Sequence, residues 1–135
     1  MRPQPLIAVA DVEASSRWYQ QLLGCTSAHG GPDYERLEHG GRLVMQLHRW
    51  EVEHGHGAIG DPTSRPYGNG VLLWFEIDDF DDAVARATAL GAEVVLAPHR
   101  NPPAGEPGGP AHRELWIRDR DGYTVVVASP DGEAA

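Results

Sequence analysis

The chain states one pattern twice. Residues 9–24 read V-A-D-V-E-A-S-S-R-W-Y-Q-Q-L-L-G, and residues 77–91 read I-D-D-F-D-D-A-V-A-R-A-T-A-L-G. Setting Asp11 against Asp79 pairs Val12 with Phe80 and, after a one-residue gap, Gly24 with Gly91. Each copy is a β-branched strand end, an acidic helix start, an apolar-periodic helix and a closing glycine. Such a repeat confines the chain to paired copies of one small module, and a pocket between paired modules is where function is expected.

The elements follow from local chemistry. A first strand is predicted over residues 4–10. Asp11 then caps a helix over 12–23, because its carboxylate can accept from the free amides of the first turn. Val12, Tyr19, Leu22 and Leu23 fall on one side of that helix, and Gly24 supplies the left-handed stop. Short strands are expected at 26–29 and 34–38, and the Gly40-Gly41 doublet turns the chain into a strand at 42–49. Residues 50–69, broken by glycine and proline, read as a loop.

The second copy opens with a strand at 71–77 and a helix over 79–90, whose apolar stripe is Phe80, Ala83, Val84, Ala87 and Leu90. The acids Asp78, Asp79, Asp81 and Asp82 gather at the helix start, where the macrodipole favours negative charge. A metal site there is the less economical reading. A strand at 93–97 precedes a proline- and glycine-rich stretch, 98–111, expected to be irregular. Strands at 112–118 and 123–128 are joined by the turn Asp119-Arg120-Asp121-Gly122. The residues after Ser129 are expected to fray. The order βαβββ thus occurs twice, an α+β fold with curled mixed sheets forming a cavity. Residues 1–135 make one domain, with a first module at about 4–49 and a second at about 70–128, joined by a loop.

Charge and cysteine narrow the setting. The formal net charge is −9, and all non-histidine basic residues are arginine. Nucleic-acid binding relies on neutralising phosphates, so no nucleic-acid partner is expected; acid focused in a cleft would favour a cationic ligand. No apolar run is long enough for a membrane span, and Met1 leads almost directly into the first strand, so a cytoplasmic protein is expected. The single cysteine, Cys25, follows the helix-ending Gly24 and reads as a small buried residue in a reducing compartment.

Alternation along the strands separates two faces. Val71, Leu73, Phe75 and Ile77 oppose Leu72, Trp74 and Glu76. Leu43, Met45 and Leu47 oppose Val44, Gln46 and His48. Leu115 and Ile117 oppose His112, Glu114, Trp116 and Arg118. The first set is apolar and belongs under the helices. The second mixes aromatic walls with a few polar groups, which is how small-molecule pockets are lined; an amphipathic solvent face or a dimer contact is the alternative.

In these residues the chain resembles the vicinal oxygen chelate superfamily, which includes glyoxalase I, extradiol dioxygenases, fosfomycin-resistance enzymes and bleomycin-resistance proteins. The resemblance rests on Val9-Ala10-Asp11 with Ser16, Trp18-Tyr19 and Leu22-Leu23-Gly24, on residues 71–79, and on Asp119-Arg120-Asp121-Gly122-Tyr123. It spans residues 4–128. It implies paired βαβββ modules curled around a cavity, often at a homodimer interface, so a homodimer is expected. Enzymes of this family hold a divalent metal through one residue on each of strands one, four, five and eight; those positions here are Gln4, Gln46, Leu72 and Val126. Leucine and valine offer no lone pair, and two glutamines retain a cation poorly.

That departure resembles the bleomycin-resistance branch, whose members bind a drug without a metal of their own. It implies a small-molecule ligand, partly aromatic or cationic, held for sequestration and antibiotic resistance with no cofactor. Trp74 and Trp116 would stack on it, Glu76 and Glu114 would pair with its charge, and Gln46, His48 and His112 would orient it. Gln4, Leu72 and Val126 complete the expected ligand-binding set.

Histidine keeps catalysis open, with seven in the chain. His48, His112 and Glu114 all fall on the mixed face, so a divalent metal relocated to them, or metal-free proton transfer by His48 or Glu114, is the competing reading. It would make the chain a glyoxalase-like lyase, isomerase or dioxygenase. His54-Gly55-His56 shows ligand-like alternation, and His99 and Arg100 lie where a lid would reach a ligand. Dinucleotide, phosphate-loop, Cys-x-x-Cys and serine-elbow signatures are all missing from the sequence.

Overall fold

The computed structural model describes residues 1–52 and 54–135, and these fall into two compact units, Met1–Tyr67 and Gly68–Ala135. Together they hold two helices and eight strands in two four-stranded mixed sheets. The fold is α+β, two βαβββ modules.

In the first unit the order is β1 (Leu6–Val9), α1 (Val12–Leu23), β2 (Thr26–Ser27), β3 (Tyr34–His39) and β4 (Arg42–Arg49), and the sheet runs β1-β4-β3-β2. β1 is parallel to β4, and the other pairs are antiparallel. Asp11 caps α1 as expected: it is extended at φ −132°, and its Oδ1 accepts from the Ala14 amide at 2.9 Å. Gly24 closes the helix at φ 70°, and its amide donates to the Gln20 carbonyl. The helix buries Val12, Trp18, Tyr19, Leu22 and Leu23, and the sheet presents Ile7, Leu37, Met45 and Leu47 as buried residues. Register places Ile7 beside Leu47 and Leu37 beside Met45, so one face of the sheet carries the core.

The second unit repeats the order: β5 (Leu72–Glu76), α2 (Phe80–Ala89), β6 (Glu93–Asn101), β7 (His112–Arg118) and β8 (Thr124–Ala128), with sheet order β5-β8-β7-β6. Leu73, Leu115, Ile117, Val125 and Val127 are buried, as are Phe80, Ala83 and Ala87 of α2. The expected stripe therefore holds, with Val84 and Leu90 only half-buried. Asp119 shapes the last turn: its Oδ1 accepts from the amides of Asp121 and Tyr123, both at 2.9 Å, and Gly122 sits at φ 94°.

Several expected element ends shift by one or two residues, while α1, β4 and β7 keep the expected bounds. β1 starts at Leu6 rather than residue 4, β2 stops at Ser27, and β5 and α2 are each shorter than expected. The informative departure is β6. It continues to Asn101 through Pro98, where an irregular stretch was expected. β6 is the sheet edge, where a missing amide hydrogen costs no ladder bond, and two register shifts absorb the misfit. Asp79 differs from Asp11 as well: it makes no side-chain cap bond, and its Oδ2 instead meets Arg86 at 3.1 Å. Among the described residues, no helix is long and apolar enough to cross a membrane.

Candidate functional site

Each sheet has a face turned away from its helix, and side-chain alternation decides what stands there. In the second unit, Trp74 pairs in register with Val126, which also pairs with Trp116, while Glu114 pairs with Ala128. Extension of β6 adds His99 opposite Glu114 and Asn101 opposite His112. These residues meet as a connected cluster. Glu114 Oε1 accepts from Asn101 Nδ2 at 2.8 Å and faces His112 Nε2 at 2.8 Å. Glu114 Oε2 accepts from the Trp116 indole at 2.8 Å and lies 3.4 Å from His99 Nε2. His112 Nδ1 faces Asp131 at 3.1 Å, and the Trp74 ring leans on the His112 ring with centroids 6.0 Å apart.

Glu114 is buried at 3% exposure. Burial raises its carboxyl, but hydrogen bonds from Asn101, His112 and Trp116 outweigh it and hold the group below the ordinary glutamate range. With both oxygens occupied, Glu114 is an anchor that fixes one histidine, one asparagine and one tryptophan. The surface beside it is apolar and open: Leu72 is 40% and Trp74 45% exposed. Glu76 is exposed, Trp116 half-buried and Val126 fully buried.

In the first unit the corresponding face carries Leu6, Tyr34, Gln46 and His48. Gln46 is held at both ends: its Nε2 donates to the Gln4 carbonyl at 3.0 Å, and its Oε1 accepts from the Tyr34 hydroxyl. Gln4 itself is exposed. His48 is buried, and its Nε2 lies 3.1 Å from His54 Nδ1 and 3.3 Å from His56 Nε2. A groove of about 480 Å³ is lined by these three histidines with Leu6, His29, Asp33 and Tyr34.

The donor set at the family's metal positions does not fit a cation. Leu72 and Val126 have no donor atom, and the Gln46 oxygen is already engaged by Tyr34. The sequence-expected trio His48, His112 and Glu114 divides between the units: His112 and Glu114 sit together in the second, while His48 gathers with His54 and His56 in the first. Asn101 was not expected, because the proline-rich run hid the strand that carries it. Glu35 was not expected either. It is buried at 2% exposure on the helix side of the first sheet. Its carboxylate accepts from Ser16 at 2.8 Å, Ser27 at 2.7 Å, and the His29 and Gly30 amides at 3.1 and 2.9 Å. Cys25 is buried, its Sγ donating to the Tyr19 carbonyl at 3.4 Å, and desolvation pushes its thiol up to about 11, which makes it inert. Arg100 is spent on carbonyls, donating to those of Ala134, Pro102 and Pro103.

Comparison with known proteins agrees with this architecture. The description Glyoxalase/Bleomycin resistance protein/Dioxygenase superfamily matches residues 3–127. TioX from Micromonospora sp. ML1 is 18% identical, with a TM-score of 0.71 over 96% of this chain and 98% of that one. An integron cassette protein of V. Cholerae is 21% identical, with a TM-score of 0.69 over 96% and 97%. Lactoylglutathione lyase from Agrobacterium tumefaciens is 18% identical, with a TM-score of 0.65 over 96% and 92%. At these identities the likeness is one of fold. No curated protein matches the sequence.

Proposed function

The chain belongs to the glyoxalase/bleomycin resistance protein/dioxygenase superfamily, and from that footing we propose that it binds a small, flat, partly aromatic or cationic molecule on the outward face of its second module, as a sequestering protein. One observation carries the reading: an exposed tryptophan, Trp74, leans on a histidine that a buried, fully bonded carboxylate holds in place. Exposed indole normally costs free energy in water, and a rigid one is a ready stacking surface with little ordering entropy left to lose. Trp74 and Trp116 supply the stacking walls, exposed Glu76 and the net charge of −9 favour a cation, and Glu114 keeps the wall rigid.

The test is a fluorescence titration with a planar aromatic cation, acridine orange. Saturable binding that weakens at least tenfold in Trp74→Ala, with an unchanged circular dichroism spectrum, supports the proposal. No saturable binding, or equal affinity in the variant, defeats it. A second reading, lyase, isomerase or dioxygenase chemistry around His48, has one observation in its favour: the His48 Nε2 faces two further imidazole nitrogens.

A further inference from the structure

The first unit holds a histidine cluster that the reading of Trp74 does not use. His48 comes from β4, and His54 and His56 come from the loop that follows. One ligand atom from each lies within 4.8 Å of the others. Alternation of His54 and His56 around Gly55, at φ 80°, lets a short loop return two rings to the strand it just left.

The backbone assigns the protons on these rings. His48 Nδ1 faces the Arg49 carbonyl at 2.8 Å, and His56 Nδ1 faces the Gly57 carbonyl at 2.6 Å. A carbonyl only accepts, so each Nδ1 must carry the hydrogen and each neutral ring keeps its lone pair on Nε2. Those two lone pairs point at each other across 3.3 Å. A hydrogen on His54 Nδ1 can serve His48, 3.1 Å away, but it leaves His56 Nε2 facing another acceptor. A cation satisfies all three nitrogens at once.

The geometry points to a binding site for a divalent first-row transition metal of the zinc kind, held by His48 Nε2, His54 Nδ1 and His56 Nε2. Tetrahedral zinc–imidazole bonds of roughly 2.05 Å place ligand nitrogens about 3.3 Å apart, close to two of the separations already present. Small rotations of the two exposed loop rings close the third. Hydrogen bonds from the non-ligating nitrogens to backbone carbonyls are the usual support for a metal-bound histidine. Three neutral nitrogens select zinc, cobalt or nickel over calcium or magnesium. The adjoining groove, lined by Leu6, Asp33 and Tyr34, leaves a fourth position open to water or a ligand atom. All these residues lie in the first unit, so the site stands or falls independently of Trp74.

Equilibrium dialysis of untagged full-length protein against Zn²⁺, read by elemental mass spectrometry, tests the site, with Co²⁺ absorption reporting its geometry. His48 is buried, so the loop variants His54→Ala and His56→Ala carry the test, with His39→Ala at an exposed hairpin end as control. Expected are one Zn²⁺ retained per chain, visible Co²⁺ bands of tetrahedral type, and an affinity loss of at least tenfold in each loop variant but none in His39→Ala. Failure of the wild-type chain to retain zinc, or equal retention by the His54→Ala/His56→Ala double variant, overturns the proposal.

Discussion

Glu35 and Glu114 stand on the third strand of their respective modules, and both are buried carboxylates with several donors, yet they face opposite sides of their sheets. Glu35 pairs in register with Leu47, a core residue, and takes a hydrogen bond from Ser16 of α1. It ties helix, strand and the turn at His29 and Gly30 into one piece. Glu114 lies on the other face, where its donors are the polar and aromatic groups of the proposed ligand surface. The duplicated module thus spends one buried acid on fastening and the other on orientation. The same residue type at the same step of the repeat serves two purposes because a strand exchanges faces at each residue.

The largest effect is expected from Glu35→Ala. It removes the shared acceptor of two hydroxyls and three amides, with the Ser16 hydroxyl left in a buried place, and should cost about 3 kcal/mol of unfolding free energy by urea denaturation. Glu35 also sets an acid limit. Burial raises its carboxyl, and hydrogen bonds from Ser27, Gly30, Ser16 and Arg36 overcome that and hold it below the ordinary range. A depressed folded value stabilises above the unfolded glutamate value of about 4.3, and that contribution is lost as pH falls through the lower folded value. The wild-type chain should therefore lose stability on acidification below about pH 4.3, and Glu35→Gln should flatten that limb in denaturation curves taken at several pH values.

Glu114→Gln is expected next, at about 2 kcal/mol, since an amide replaces two of its acceptor positions with donors facing donors. Its distinguishing result is on binding: acridine orange affinity should fall several-fold, while Glu35→Gln leaves it unchanged once folding is verified. Equal effects of the two on binding would erase the contrast between fastening and orienting acids. The smallest pair compares the helix starts. Asp11→Ala removes a side-chain cap and should cost about 1 kcal/mol. Asp79→Ala removes an exposed pair with Arg86 and should cost about 0.5 kcal/mol or less. Thermal melts of the two variants check the order.

Much of the architecture was legible in the sequence. The paired motifs at Asp11 and Asp79, the apolar stripe of α1 and the alternation of β7 each express one physical rule per residue, so the modules and their two faces could be read directly. Asn101 was not, because Pro98 reads as a strand breaker until the strand is known to lie at a sheet edge. Glu35 was missed because a carboxylate on a core face becomes reasonable only when its donors, two of them from loop amides, are in place. The spacing of the histidines at 54 and 56 is ligand-like in the sequence, but their convergence on His48 depends on how the loop folds back. Glu114 is expected from the sequence to meet ligand charge; the structure adds that its two oxygens meet Asn101, His112, Trp116 and His99, partners that depend on the extension of β6 and on side-chain positions.

The most direct test of the ligand face is an amide–indole NMR titration. The chain has four tryptophans, each giving one indole N–H signal. On titration with acridine orange, the signals of Trp74 and Trp116 should shift together and saturate, while those of Trp18 and Trp50 stay still. Shifts confined to Trp18 or Trp50, or no shift at Trp74 at saturating probe, would contradict the account.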